Sequence, residues 1–170
     1  MAAPKTKSES CLDKAYRLLA GRPHSVFEMR EKLAFRSYEK FEIDETIAIL
    51  LEAGHLNDSI YCRSYAGARI KRMRLGPGRI KTDLKRKGFD ESLINETLSE
   101  LFPDDDGEMC VALEAAEKKL RSFHNDIDEK VMKHKLYDHL TRRGFSAEIA
   151  RRVALDRFET VLAGVSKLYG

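Results

Sequence analysis

The sequence predicts an all-α protein, built as an elongated curved array of three tandem three-helix modules. Three observations favour this fold class. Apolar residues recur every three or four positions along most of the 170-residue chain, as they do on the buried face of a helix. Runs of β-branched residues in strict alternation, which mark strands, are not found at useful length. A motif of leucine, basic residues, glycine and phenylalanine recurs after about 50 residues, which is typical of tandem repeats.

The repeat is visible when three segments are aligned. Leu84–Phe89 (LKRKGF) matches Leu140–Phe145 (LTRRGF) and, more loosely, Leu33–Tyr38 (LAFRSY), at offsets of 56 and 51 positions. We interpret the glycine as a turn between helices and the aromatic residue as a core side chain. A three-helix unit of this size has a thin core, so stacking on its neighbours is expected to stabilise it.

Caps and glycines predict the helices of module 1. Gly21 and Pro23 stop the first helix. Ser25 followed by Glu28 forms a capping box that starts the second, and Gly54 ends the third. The residues at helical spacing are Leu12, Ala15, Tyr16, Leu18 and Leu19 in the first helix, Met29 and Leu33 in the second, and Ile43, Ile47, Leu50 and Leu51 in the third.

The same plan is predicted for modules 2 and 3. Pro77, within Gly76–Gly78, is placed to open a helix, while Asp90 and Ser146 are placed as N-caps. The periodic residues are Tyr61, Tyr65, Ala68, Ile80, Leu84, Leu93, Ile94, Leu98 and Leu101 in module 2, and Val111, Ala112, Ala115, Ala116, Leu120, Val131, Leu136, Leu140, Ile149 and Val153 in module 3.

These signals predict the domain boundaries. They are a flexible tail at 1–10, module 1 at 11–56, module 2 at 57–102, an acidic linker at 103–107, module 3 at 108–156 and an amphipathic tail at 157–170. The apolar stripe of the last segment comprises Phe158, Val161, Leu162, Val165, Leu168 and Tyr169. We expect this stripe to pack on module 3 or to extend its last helix, and a partner-docking helix is the alternative.

Positive charge is concentrated in module 2. The net charge is only +3, yet the segment Arg63–Lys87 holds ten basic residues and one acid, Asp83, so the rest of the chain carries −6. Such a field attracts a polyanion or an acidic surface, although a solvated face is the simpler reading of any single lysine. The candidate contacts are Arg63, Arg69, Lys71, Arg72, Arg74, Arg79, Lys81, Lys85, Arg86 and Lys87, with a weaker set of Arg142, Arg143, Arg151 and Arg152.

Helical spacing predicts which side chains in and near this segment face solvent and which face the core. Arg79, Lys81, Lys85 and Arg86 lie largely opposite Ile80 and Leu84 on one helix, so they are expected to face solvent. Tyr61 and Tyr65 sit at inward spacing, which favours core positions over stacking on nucleobases.

The sequence offers no catalytic or metal site. The five histidines are scattered, and the pair His134 and His139 is poorly spaced for one helical face and lacks a third ligand. No serine or cysteine stands in a nucleophile motif, and no cofactor is expected. No apolar run approaches the roughly 20 residues that span a bilayer. Three widely separated cysteines favour a reducing cytoplasm.

Three segments carry a resemblance to the RecX family. Residues 24–33 (HSVFEMREKL) resemble the signature of its first module, and residues 54–61 (GHLNDSIY) resemble its junction into the second. Gly76–Ile80 (GPGRI), followed by Leu84, Gly88 and Phe89, resembles the second-module core. The resemblance covers roughly residues 11–155. His55 stands where the family usually has an aromatic residue, Ser37-Tyr38 replaces the usual glycine-aromatic pair, and the third module is only loosely similar.

The resemblance implies a non-enzymatic modulator of the RecA recombinase, with roles in DNA repair, homologous recombination and the SOS response. Such proteins lie in the groove of the RecA–single-stranded DNA filament and lower its ATPase, strand-exchange and co-protease activities. A monomer that also contacts single- and double-stranded DNA without sequence preference is expected. The alternative is a stand-alone, sequence-neutral DNA-binding repeat protein that acts without RecA.

Overall fold

The computed structural model describes residues 9–123, 128–156 and 158–161, and within those ranges it contains helices and turns but no strand. The helices of module 1 are α1 (Cys11–Gly21), α2 (Val26–Ala34) and α3 (Lys40–Glu52); those of module 2 are α4 (Asp58–Met73), α5 (Pro77–Arg86) and α6 (Glu91–Leu101); and those of module 3 are α7 (Asp105–Leu120), α8 (Glu129–Arg142) and α9 (Ala147–Arg151). A π-helical turn, Arg152–Asp156, continues α9. The all-helical prediction is confirmed.

The described residues fall into two compact units. The first contains residues 9–62 and 87–89, and the second contains residues 63–86 and 90–161. Module 1 therefore belongs to the first unit. Most of module 2 belongs to the second unit, together with module 3.

Side-chain caps start the helices where the sequence predicts. The Ser25 hydroxyl accepts from the Glu28 amide at 3.0 Å, and the Glu28 carboxylate accepts from the Ser25 amide at 3.2 Å, which completes the capping box. Asp90 accepts from the Ser92 amide, and Ser146 accepts from the Ile149 amide. Each cap satisfies an amide that has no partner inside its own helix.

The core of module 1 lies between α1, α2 and α3. Its buried residues are Cys11, Ala15, Met29, Leu33, Ile43, Ile47, Leu50 and Leu56. Leu51 was expected to face inward but is 47% exposed, because it lies about 100° around the helix from Leu50. Ser10 caps α1, so the end of the predicted flexible tail belongs to a helix start. Residues 1–8 lie outside the described residues.

The core of module 3 extends past α9. Its buried residues are Met109, Ala112, Ala115, Ala116, Leu120, Leu136, Leu140, Phe145, Ile149, Ala150, Val153, Ala154, Phe158 and Val161. Two of these, Phe158 and Val161, begin the predicted tail stripe; Leu162, Val165, Leu168 and Tyr169 lie outside the described residues. Val131 is 44% exposed rather than inward. Helix α7 begins at Asp105, so it takes up part of the segment predicted as a linker.

The repeated glycine-aromatic motif forms the same turn in each module. Gly88 and Gly144 have φ values of +73° and +85°, a left-handed conformation that costs glycine little. The phenylalanines that follow them are only 5% exposed. Ser37 holds the equivalent turn in module 1 with φ +61°, although a side chain there costs roughly 1–2 kcal/mol.

Candidate anion-binding cleft

The basic segment of module 2 contains more cations than its carboxylate partners can neutralise. Eight of its ten Lys and Arg residues form ion pairs, but those pairs involve only five carboxylates. The carboxylates are Glu28, Asp83, Glu91, Glu100 and Glu114. Lys71 and Arg72 pair with no carboxylate in the part of the chain that the structure describes. A positive surplus therefore remains along the segment.

Asp83 is the centre of the densest group of cations. Its side chain is 5% exposed and lies among three arginines. Arg86 donates to Asp83 Oδ1 at 2.6 Å, and Arg79 Nε lies 3.6 Å from the same oxygen. Arg69 Nε lies 3.8 Å from Oδ2. One carboxylate cannot balance three guanidinium groups, so this cluster retains a net positive charge.

Backbone contacts bring the basic end of α8 against the start of α5. The Gly76 amide donates to the Arg143 carbonyl, and the Gly78 amide donates to the Gly144 carbonyl, both at 2.9 Å. A β-carbon on Gly76 would lie 2.6 Å from the Gly144 backbone, so only glycine allows this approach. Members of the two basic sets that the sequence places in separate modules therefore meet in the second unit.

These contacts form a cleft of about 350 Å³, which we call the arginine cleft. Its lining residues are Arg69, Met73, Leu75, Arg79, Asp83, Arg86, His139, Arg142 and Arg143. Arg143 Nε donates to His139 Nε2 at 2.8 Å. Burial and, to a smaller extent, the positive charges of Arg143, Lys119 and Arg142 together lower the pKa of His139 to about 4. His139 is therefore neutral near pH 7.

Five arginines in one cleft can bind an anion without catalysing a reaction of it. A guanidinium presents several N–H donors in a planar fork that matches phosphate or carboxylate oxygens. The side chains of Arg79 and Arg86 are 51% and 69% exposed, so an anion can reach them. The arrangement is suited to binding a phosphate group through charge and hydrogen bonds.

Lys87, one of the predicted contacts, lies in an internal ion pair. Its side chain is 14% exposed, and its ammonium lies 2.9 Å from both a Glu28 carboxylate oxygen and the Tyr61 hydroxyl. Arg22 pairs with the same carboxylate at 3.0 Å. Burial raises the pKa of Glu28, but hydrogen bonds from Arg22, Lys87 and the Ser25 amide outweigh it and lower the pKa to about 2. We call Glu28, Arg22, Lys87 and Tyr61 the Glu28 cluster, and its contacts lie within the protein.

The remaining predicted contacts lie outside the arginine cleft. Lys81 and Lys85 share Glu91, and Arg151 pairs with Glu148 and Asp156. The predicted contacts that do not line the arginine cleft are Arg63, Lys71, Arg72, Arg74, Lys81, Lys85, Lys87, Arg151 and Arg152. Tyr61 and Tyr65 are half-buried rather than core residues. Tyr65 supports the cleft instead, because the Arg69 guanidinium lies 4.8 Å from its ring centre.

Sequence reasoning missed four residues that line the cleft, and two of them, Asp83 and His139, are titratable. Asp83 carried a usable signal, since it is the sole acid in a strongly basic segment. His139 carried none, because its neighbours across the cleft are more than 50 positions away in the chain. Among the described residues, no three potential ligand side chains group as a metal site. No described helix has the length and apolar character needed to cross a bilayer.

Comparison with known families covers all three modules. Residues 11–50, 57–98 and 106–154 match the first, second and third three-helix domains of RecX. The chain is 35% identical to the regulatory protein RecX of Chlorobaculum tepidum, over 85% of this chain and 86% of that protein. It is 32% identical to the regulatory protein RecX of Chlorobium phaeobacteroides, over 86% and 92%. It spans only 53% of the RecX of Listeria innocua, to which it is 28% identical.

Two solved structures share the fold. The crystal structure of RecX from Lactobacillus salivarius superposes with a TM-score of 0.69 at 21% identity, covering 92% of this chain and 94% of that one. A crystal structure of regulatory protein RecX also gives a TM-score of 0.69, at 25% identity, covering 86% and 72%. Because the three family domains match in order along most of its length, this chain belongs to the RecX family.

Proposed function

We propose that this protein is a non-enzymatic regulator that binds the RecA–single-stranded DNA filament and lowers its ATPase, strand-exchange and co-protease activities. Family membership supports the regulatory role, because the relatives are named regulatory proteins. The arginine cleft supports a contact with the DNA in that filament. The observation that carries this contact is a cleft lined by five arginines, three of which surround a single buried carboxylate, Asp83.

A phosphodiester backbone suits the arginine cleft better than an isolated base does. Phosphate is recognised through charge and N–H donors, which Arg86 and Arg142 supply from two modules. Binding of this kind has little sequence preference and weakens steeply with salt, because each neutralised phosphate releases counter-ions. Tandem modules on one chain also add weak contacts at high effective concentration.

The test is the ATPase activity of RecA on single-stranded DNA, with this protein added far below the RecA concentration. Strong inhibition at such ratios is expected, because a regulator lodged in the filament affects more than the subunits it touches. An Arg86→Gln/Arg142→Gln variant should inhibit much less. The matched control, Arg63→Gln/Arg151→Gln, removes two positive charges outside the cleft and should inhibit normally. An unchanged ATPase rate with the wild-type protein would refute the proposal.

A second candidate is a stand-alone DNA-binding protein, which the positive surplus of the cleft also favours. It predicts equal affinity for naked DNA and for the filament, with inhibition only when the protein coats the DNA. Fluorescence anisotropy with labelled single-stranded DNA, with and without RecA, separates the two functions. Tighter binding in the presence of RecA supports the regulator.

A further inference from the structure

Two phenylalanines stand exposed on either side of the turn between α2 and α3. Phe35 follows the last residue of α2 and is 87% exposed, while Phe41 lies in the first turn of α3 and is 70% exposed. Single exposed apolar residues are common on soluble proteins. Two large aromatic side chains that flank one short turn and are this exposed call for a separate explanation.

The repeat shows what these positions carry elsewhere. In the aligned motifs, Phe35 occupies the place of Arg86 in module 2 and of Arg142 in module 3. Both of those arginines line the arginine cleft. Module 1 therefore presents an apolar ring where the other two modules present a cation, which indicates a different kind of partner.

Helix α3 exposes an outer face that begins at Phe41. Phe41, Glu45, Ala48 and Glu52 follow one another at intervals of four, three and four residues, so they share one face of the helix. This face lies opposite the buried residues of α3, and Ile49 borders it at 38% exposure. The result is an apolar strip that carries acids along its length.

The acids of this face disfavour a polyanion. Helix α3 contains four acids and one base. Asp44 pairs with Arg30, but Glu45 and Glu52 pair with no cation among the residues described. Acids of this kind repel phosphate, whereas they attract lysine or arginine next to an apolar contact.

We propose that Phe35, Phe41, Glu45, Ile49 and Glu52 form a docking surface for a protein that presents an apolar patch bordered by lysine or arginine. This inference rests on the proposed function, and within it the docked protein is a RecA subunit. The arginine cleft then contacts the phosphate backbone, and module 1 contacts the protein component of the filament. Exposed aromatic residues with complementary charges around them are the usual anchors of such interfaces.

The test compares three proteins: wild type, Phe35→Ser/Phe41→Ser and the control Ile60→Ser, which removes another exposed apolar side chain in the first unit. Affinity for RecA–single-stranded DNA filaments should fall by about tenfold or more in the double variant only. Affinity for single-stranded DNA alone should stay within about twofold of wild type, because the arginine cleft is intact. Circular dichroism should show unchanged helix content, since both rings are exposed.

Charge reversal gives an independent arm. Glu45→Lys/Glu52→Lys should weaken filament binding, most strongly at low salt, where the lost attraction is least screened. Unchanged filament affinity in both variants would overturn the docking surface. An equal loss of affinity for naked DNA in the phenylalanine variant would also overturn it, because the rings would then stack on bases. If wild type itself leaves the RecA ATPase unaffected, the proposed function fails first, and the two failures remain distinct.

Discussion

The Glu28 cluster and the arginine cleft each place one carboxylate among basic side chains, but they differ in the excess of positive charge that remains. In the first, Glu28 faces two cations, and Lys87 is 14% exposed. In the second, Asp83 faces three arginines, and two more line the same cleft. A cluster whose carboxylate and lysine are largely buried stabilises a fold, whereas a larger surplus on exposed arginines is available to a ligand. This difference separates the structural lysine from the candidate binding arginines.

The largest expected effect comes from separating the two sides of the cleft. Gly76→Ala places a β-carbon 2.6 Å from the Gly144 backbone, a distance that real structures avoid. The backbone hydrogen bonds between α5 and the turn after α8 should then be lost, which should lower the unfolding free energy by about 3 kcal/mol or more. Urea denaturation measures this loss. Gly21→Ala is the control, because a β-carbon there meets nothing within 4 Å.

Breaking the Glu28 cluster should destabilise the first unit without affecting DNA affinity. A pKa lowered from 4.5 to about 2 corresponds to on the order of 3 kcal/mol at neutral pH, so Glu28→Gln should lose about that amount. Hydrogen exchange of the α2 amides reports it, with Glu31→Gln as an exposed control. Weaker DNA binding in Glu28→Gln would instead place Lys87 at the interface.

The same cluster predicts a pH dependence. The folded pKa of Glu28 is below its unfolded value, so its contribution to stability is complete above about pH 4.5 and is lost as the pH falls toward 2. The difference in unfolding free energy between wild type and Glu28→Gln should therefore shrink across that window. A difference that stays constant down to pH 2 would contradict the ionic origin of the effect.

Neutralising arginines of the cleft should weaken DNA binding and leave stability nearly unchanged, whereas breaking the Glu28 cluster should lower stability and leave DNA affinity unchanged. Arg86→Gln/Arg142→Gln should weaken binding to single-stranded DNA by about thirtyfold at moderate salt and reduce the salt slope by about 1.4. Stability should change little, because both side chains are exposed. Titrations at several salt concentrations measure both quantities. The slope of Arg63→Gln/Arg151→Gln, which leaves the cleft intact, should remain near that of wild type.

Local signals predicted most of the fold, whereas the cleft depends on contacts that no local pattern reveals. The caps at Ser25, Asp90 and Ser146 are determined within four residues, so the sequence places these helix starts correctly. The repeat also marks the left-handed turn at Ser37, although a serine stands there. By contrast, Asp83 and His139 line one cleft only because two backbone hydrogen bonds hold α5 against the turn after α8.

The smallest expected effect is a proton-linked gain in affinity at His139. Its folded pKa of about 4 reflects burial and the surrounding cations, Arg143, Lys119 and Arg142, and a bound phosphate would offset those cations. Binding should therefore raise the pKa of His139 toward its usual 6.5 and take up a proton. Affinity for oligothymidylate, whose phosphates do not titrate here, should rise by roughly tenfold between pH 7 and pH 5.

The control for this effect is His139→Gln, which keeps a polar side chain of similar size but does not titrate. Its affinity should be nearly flat between pH 7 and pH 5, while other titrating groups contribute equally to both proteins. A parallel pH dependence in the two would mean that the bound phosphate lies away from His139. The DNA would then contact only Arg79 and Arg86, whose side chains are more exposed than that of Arg69, the third arginine around Asp83.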